Sequence, residues 1–265
     1  MILHYDIQDI VPYINWLYFY HAWSMNGKSE TAKLQLRKDA EEMLHTWGGC
    51  YHTHAVFGLF DANSDRDDLI LGDKRLPMLR QQKPKKPGYP NLCLADFVRP
   101  VGKGKDKVGV FATSVDAELQ KAYLHDDYQR MLSQVLADRL AEGTAEKMHE
   151  EVRRNYWGYA PNECLTMEQT HNEQYQGIRP AVGYPSLPDT SINFILNELI
   201  DMKGIGIRLT ESGMMTPHAS VSGLMMAHPG SCYFELGRIG TDQINDYARR
   251  RGLPVELIRR FLKGV

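Results

Sequence analysis

The spacing of apolar residues along this chain changes period several times. In residues 33–47 Leu34, Leu36, Ala40, Met43 and Leu44 recur at helical spacing among charges, and Gly48-Gly49 supplies the stop. Residues 54–60 and 69–71 read instead as strands around a polar turn at 61–68. Residues 92–98 and 108–113 read as two more strands, with a Gly102–Lys105 turn between them. The strongest helical pattern covers 126–156, where Tyr128, Met131, Leu132, Val135, Leu136, Leu140, Met148 and Val152 share a stripe. Asp126 and Asp127 at its start and Arg153 and Arg154 near its end suit the helix dipole. Gly143 interrupts the stripe, as a bend or a close neighbour requires. By spacing alone, Glu142 and Glu146 read as solvent-facing charges. Shorter helices are predicted at 165–175, at 192–202 behind the Asp189-Thr190-Ser191 cap cluster, at 241–252 capped by Thr241, and from Pro254 onward. Residues 204–209 are strand-like, and 219–228 with 231–236 predict a hairpin across a Pro229-Gly230 type II turn. Helices and short antiparallel strands mix without βαβ regularity, which predicts one α+β domain over 1–265.

The segment 176–188 breaks both periods. It holds three prolines, two glycines, Arg179 and Tyr184 in thirteen residues. Proline fixes φ and glycine permits close backbone approach, so this is a shaped, extended loop. Arg179 offers a planar fork suited to a carboxylate or phosphate, although a surface pair would use it equally. The aromatic run 13–23 reads as core packing, with Asn15 its polar exception, free to cap a turn or reach a ligand.

Composition narrows the field. Apolar and charged fractions of 43% and 24% are those of an ordinary globular chain, and a net charge of −2 offers no footprint for nucleic acid or a membrane surface. No apolar run approaches a membrane span, and the N-terminus lacks the basic-then-apolar pattern of a secretory signal, so a cytoplasmic location is expected. Cys50, Cys93, Cys164 and Cys232 are scattered and read as reduced, mostly buried thiols. His52 and His54 share a strand face but lack further ligands at diagnostic spacing. The run 65–68 lacks the glycine and terminal glutamate of an EF-hand, and Gly102–Lys105 lacks the Walker spacing. GxGxxG, GxSxG, HExxH and CxxC signatures are absent. The residues alone favour binding of a small amphoteric ligand over turnover.

Tyr156-Trp157-Gly158-Tyr159-Ala160-Pro161-Asn162-Glu163, followed by Tyr175-Gln176-Gly177-Ile178-Arg179-Pro180-Ala181-Val182-Gly183-Tyr184-Pro185, resembles the activation domain of cobalamin-dependent methionine synthase. The likeness extends through Tyr13-Ile14-Asn15-Trp16, Asn91–Val98, Ala137–Glu142, Leu209–Ser212, Ala219–Gly223, His228-Pro229 and Asp246–Arg250. It implies a single C-shaped α+β domain that binds S-adenosylmethionine and docks over a cobalamin domain. A flavodoxin-type reductase supplies an electron to inactive cob(II)alamin, and S-adenosylmethionine supplies the methyl group. By the resemblance, Arg179 holds the ligand carboxylate, Pro180, Ala181 and Gly183 give walls and backbone contacts, Tyr184 faces the corrin, and Tyr233 packs on the ligand. Glu142 and Glu173 match acidic positions near the site.

Two departures shape the expectation. Asn15 stands where the family has an aspartate able to pair with the ligand's ammonium, a difference of about 1–2 kcal/mol that predicts weaker binding. The homocysteine, folate and cobalamin modules have no counterpart in these residues, so the chain holds no complete methyl-transfer site. It is expected to serve in trans a separate protein that carries the cobalamin, or else to have been borrowed for another cobalamin enzyme. The alternative is an interaction or sensor module that keeps the fold with weakened ligand binding. An autonomous methyltransferase lacks its glycine-rich strand–loop–helix signature.

Overall fold

Two long antiparallel strands carry the architecture. The computed structural model describes residues 1–84, 86–121 and 123–262. Residue 85 of the basic, proline-rich stretch 81–90 and the last three residues of the expected domain lie outside them. In chain order the elements are β1 (Ile2–Asp6), α1 (Ile7–Ile10), a 3-10 turn Val11–Tyr13, α2 (Trp16–Ala22), α3 (Glu30–Trp47), β2 (His52–Asp65), β3 (Asp68–Leu71), β4 (Lys74–Pro77) and β5 (Asp106–Val115). There follow α4 (Asp127–Glu151), running into a π-helical turn Val152–Tyr156, α5 (Met167–His171), α6 (Ile192–Leu199), β6 (Arg208–Leu209), β7 (Met215–Thr216), β8 (Ser220–Met225), α7 (Thr241–Arg251) and α8 (Val255–Phe261).

β2 pairs with β5 from Thr53–Val115 to Ala62–Asp106, and β5 pairs in turn with β8. β1 and β3 share the other edge of β2, and β4 extends β3. The result is a six-stranded antiparallel sheet ordered β4-β3-β2-β5-β8, with β1 beside β2. From Val108 onward β5 is buried, because helices cover both faces; it therefore reads as an apolar run and not as an alternation. Phe111 and Val115 pack with Phe57, Val221 and Met225 in the cluster that includes α4. Val108, Val110 and Ala112 join Leu224 in the cluster that includes α6. Each of these side chains larger than alanine stabilises the fold by about 1.5–3 kcal/mol on burial. The buried hydroxyls between them are satisfied: Thr113 Oγ1 donates to the Ala141 carbonyl (2.9 Å) and Ser114 Oγ to that of Ile205 (2.6 Å). A third cluster, around Leu79, Leu236, Tyr247 and Ile258, seats α7 and α8. The single domain of mixed helices and antiparallel strands is as expected. Among the described residues no helix is long and apolar enough to cross a membrane.

Several local expectations are corrected. Residues 61–65, expected as turn, continue β2: Asp61 sits opposite Lys107, and its carboxylate accepts from Lys105 and Lys107 (3.2 Å each). Residues 92–98 contain a 3-10 turn, Leu94–Phe97, in place of a strand. The Asp96 carboxylate folds back onto the Cys93 N–H (2.8 Å) and is held by Arg80 (2.6 and 2.8 Å). No strand forms at 231–236, and Ser231 N–H closes a turn on the His228 carbonyl (3.0 Å) with Gly230 outside the left-handed region that a type II turn needs. The edge of β8 that a hairpin partner would take is occupied by residues 178–182. The 165–175 helix is confined to α5, Gly240 rather than Thr241 precedes α7, and Cys50, Cys164 and Cys232 are exposed while only Cys93 is buried.

Candidate functional site

Residues 178–182 lie antiparallel along β8 in one register, marked by the pairs Ile178–Met226 and Ala181–Gly223. Ile178 and Met226 exchange N–H to carbonyl bonds (2.9 Å each), Leu224 N–H donates to the Pro180 carbonyl (3.0 Å), and Val182 N–H donates to that of Ser222 (2.8 Å). Pro180 has no N–H to return, so the ladder stops short of a regular strand, as proline requires at a sheet edge. Alternation sends Ile178 and Val182 into the cluster containing α6, and Arg179 and Ala181 toward α4. Gly177, at φ +91°, brings the backbone so close that an added Cβ would stand 2.4 Å from the Met226 carbonyl oxygen. Beyond Gly183 (φ +88°) the chain turns: Gly183 N–H donates to the Leu187 carbonyl (2.8 Å), and Tyr184 sits at the apex, 49% exposed.

α4 meets this segment with Glu142 and Glu146, one turn apart. Arg179 Nη2 donates to Glu146 Oε1, and the Tyr184 hydroxyl donates to Glu142 Oε1. The solvent-facing reading of the two glutamates therefore fails. The resemblance already pointed to Glu142, whereas Glu146 was missed; its only signal was the i,i+4 spacing. Gly143, between them, admits a neighbour within an unbroken helix: its Cβ would lie 3.0 Å from Ile10 Cγ2 and 3.4 Å from the Tyr13 carbonyl carbon.

Arg179 is 7% exposed. Its backbone N–H donates to the Tyr233 hydroxyl (2.8 Å), which lies 3.5 Å from that of Tyr175, and its guanidinium stands 5.7 Å from the Phe111 ring. Burial alone would favour the neutral form, but Glu146, with Tyr233, Tyr175 and Glu142 behind it, holds its pKa above the ordinary arginine value. Arg179 Nε and Glu146 Oε2 are both buried without a partner. Burial, with the Glu142 charge, likewise pushes the Tyr184 phenol up.

Under the segment lies a second buried layer that sequence reasoning missed. The π-helical turn brings Arg153 inward to a bidentate pair with Glu163 (2.6 and 2.9 Å), its guanidinium 4.1 Å from the Tyr175 ring centre. His149 packs edge-on against Tyr175 and stands 3.4 Å from the Tyr159 hydroxyl. Burial first, then Arg153 and Arg179, hold the His149 pKa well below its usual value.

Of the remaining expected residues, Glu173 lies near enough to Glu146 and Arg179 to feel their charges, and Asn15 sits at the start of α2. His171 Nε2 donates to the Tyr13 carbonyl (3.1 Å), which ties α5 to the turn before α2. Glu173 follows at φ +57°; its carboxyl is pushed up by burial and by the Glu146 charge, with Arg179 opposing. Asn15 caps α2, its Oδ1 accepting from Leu17 N–H (3.1 Å), and makes no bond to the other site residues. Pro180 and Ala181 are buried, and Tyr233 is 36% exposed. Elsewhere, His54 Nδ1 meets His4 Nδ1 at 2.7 Å and its Nε2 meets Asp116 at 2.8 Å. Among the described residues no group of three or more such side chains is arranged for a metal ion.

The whole arrangement has known counterparts. Residues 6–252 match the family model described as "Vitamin B12 dependent methionine synthase, activation domain". The crystal structure of the MetH reactivation domain bound to AdoHcy is similar at 40% identity and a TM-score of 0.92, over 99% of this chain and 88% of that one. A match of such length in sequence and in backbone leaves one assignment: the chain belongs to the family of activation domains of vitamin B12-dependent methionine synthase.

Proposed function

We propose that residues 178–184 and the part of α4 they meet form a groove that binds S-adenosylmethionine, and that the chain presents it in trans to cobalamin carried by a separate protein. One observation carries the ligand assignment. A buried arginine and a glutamate each keep an unpartnered polar atom, beside two tyrosines whose rings reach the surface. Charged atoms of both signs next to flat aromatic surface fit an amino-acid head joined to a nucleoside, and the solved relative was crystallised with AdoHcy. Arg179 takes the carboxylate, Pro180, Ala181 and Gly183 wall the groove, and Tyr233 packs on the ligand while fixing the Arg179 backbone. Glu142 holds the Tyr184 hydroxyl, which turns Tyr184 toward the corrin of a docked partner. Asn15 and Glu173 border the groove. Bound S-adenosylmethionine supplies the methyl group that restores the partner's cobalamin after a flavodoxin-type reductase supplies an electron. The proposed location is the cytoplasm.

Titration calorimetry with S-adenosylmethionine and AdoHcy tests the binding. Losing the charge-assisted bonds of Arg179 removes about 1.5–3 kcal/mol, so Arg179→Ala is expected to weaken Kd by about tenfold to a hundredfold. A ligand-free interaction module gives no heat with either compound. The spectrum of a cob(II)alamin protein with reductant and S-adenosylmethionine then reads reactivation, which is expected only when this chain is added.

A further inference from the structure

The Arg179–Glu146 contact is only half made. An arginine facing a carboxylate usually closes two parallel hydrogen bonds, yet here one bond joins Nη2 to Oε1, while Nε and Oε2 stay buried and unpartnered. Leaving such atoms unpaired is unfavourable, so a site that keeps both, on a contacting pair of opposite charge, is complementary to a zwitterion. The Glu146 side chain as a whole is 19% exposed and that of Arg179 6%, while Oε2 and Nε themselves are covered, so a ligand engages them by parting the two side chains.

The other acceptors near the groove are less suited to an ammonium. Asn15 carries no charge, and its oxygen is engaged in capping α2. Glu142 gives Oε1 to the Tyr184 hydroxyl and, unlike Glu146, keeps no buried unpartnered oxygen. Glu173 is pushed toward its neutral form by burial and by Glu146 itself. We propose that Glu146 is the ammonium-binding residue of this chain: its Oε2 takes the α-ammonium of the ligand while Arg179 takes the carboxylate. Glu146 thereby replaces the charge that Asn15 lacks. This rests on the S-adenosylmethionine reading of the groove and assigns its amino-acid end.

The test is calorimetric discrimination between AdoHcy and its desamino analogue, which keeps the carboxylate and lacks the ammonium. The wild-type chain is expected to prefer AdoHcy by about tenfold, the scale of one charge-assisted bond. Glu146→Gln is expected to abolish that preference, and Asn15→Asp added to it to restore the preference. Equal weakening of both ligands by Glu146→Gln would mean that Glu146 only positions Arg179, and an unchanged preference would mean that it touches neither; each result overturns the proposal. Wild-type binding of both compounds without a preference also overturns it and leaves the groove reading standing, whereas no binding of either by wild type rejects both readings. Should the glutamine variant fail to fold, Glu146→Asp withdraws the charge by one methylene. A reduced AdoHcy preference there supports the assignment, and an unreduced one overturns it.

Discussion

Gly223→Ala perturbs the site from β8, without changing any residue proposed to face the ligand. Gly223 lies on β8 opposite Ala181. An added Cβ would stand 2.2 Å from the Pro180 carbonyl oxygen, 2.9 Å from Ala181 Cα and 2.9 Å from Phe111 Cε1. Two of these atoms are backbone and the third belongs to a fully buried ring, so none yields by swinging a side chain. Residues 178–182 must then retreat by about 1 Å to regain van der Waals separation. Such a shift stretches the bonds from Leu224 N–H to Pro180 (3.0 Å) and from Val182 N–H to Ser222 (2.8 Å) beyond useful length. Each is worth about 0.5–1.5 kcal/mol net, so the expected loss is about 1–3 kcal/mol. Arg179 immediately precedes the first of these anchored residues and moves with it, away from Glu146. Urea denaturation reads the first effect as a lowered midpoint at unchanged m. Calorimetry with AdoHcy reads the second as a loss of about tenfold or more. A variant with wild-type midpoint and wild-type affinity would refute the idea that the edge of β8 sets the position of Arg179.

Two further outcomes follow from the layer beneath. His149 is held neutral in the fold, with its pKa well below the unfolded value of 6.5. Below that pH the unfolded chain binds a proton that the folded chain refuses, so stability is full above about pH 6.5 and falls as pH drops, by up to about 1.4 kcal/mol per unit. Urea midpoints between about pH 5 and 7 should therefore slope less in His149→Gln than in wild type, and equal slopes would remove His149 from the account. Glu163→Gln leaves the fully buried Arg153 beside a neutral partner and is expected to destabilise by about 3–5 kcal/mol. Thermal unfolding checks this, and a loss below about 1 kcal/mol would place the pair among the energetically neutral ones.

How far the sequence carried the site differs from residue to residue. Arg179 was legible because the motif around it is long; the cation by itself suited a surface pair equally. Glu146 was not, because a glutamate on an amphipathic helix looks the same whether water or an arginine faces it. His149 and Arg153 were hidden for a related reason: polar residues at helical spacing read as an exposed face, and only the π-helical turn and Glu163 bring that face inside. The missed strand boundaries share one cause. Asp61 and Asp96 are turn formers by propensity, but Lys105 and Lys107 across the ladder keep Asp61 in β2, while Arg80 draws Asp96 into a 3-10 turn.

By itself the sequence determined the α+β class, the long helix from Asp126, the irregular character of residues 176–188 and the family, since all of these rest on local periodicity, backbone chemistry or contiguous motifs. Tertiary structure alone decided which edge that segment occupies, which glutamate meets Arg179 and which polar atoms stay unpartnered. Those depend on a pairing between residues more than forty positions apart along the chain, Ile178 with Met226 and Ala181 with Gly223, and no local pattern encodes that register. The half-made pair between Arg179 and Glu146 is a product of that register, and it is where the ligand's charges find their partners.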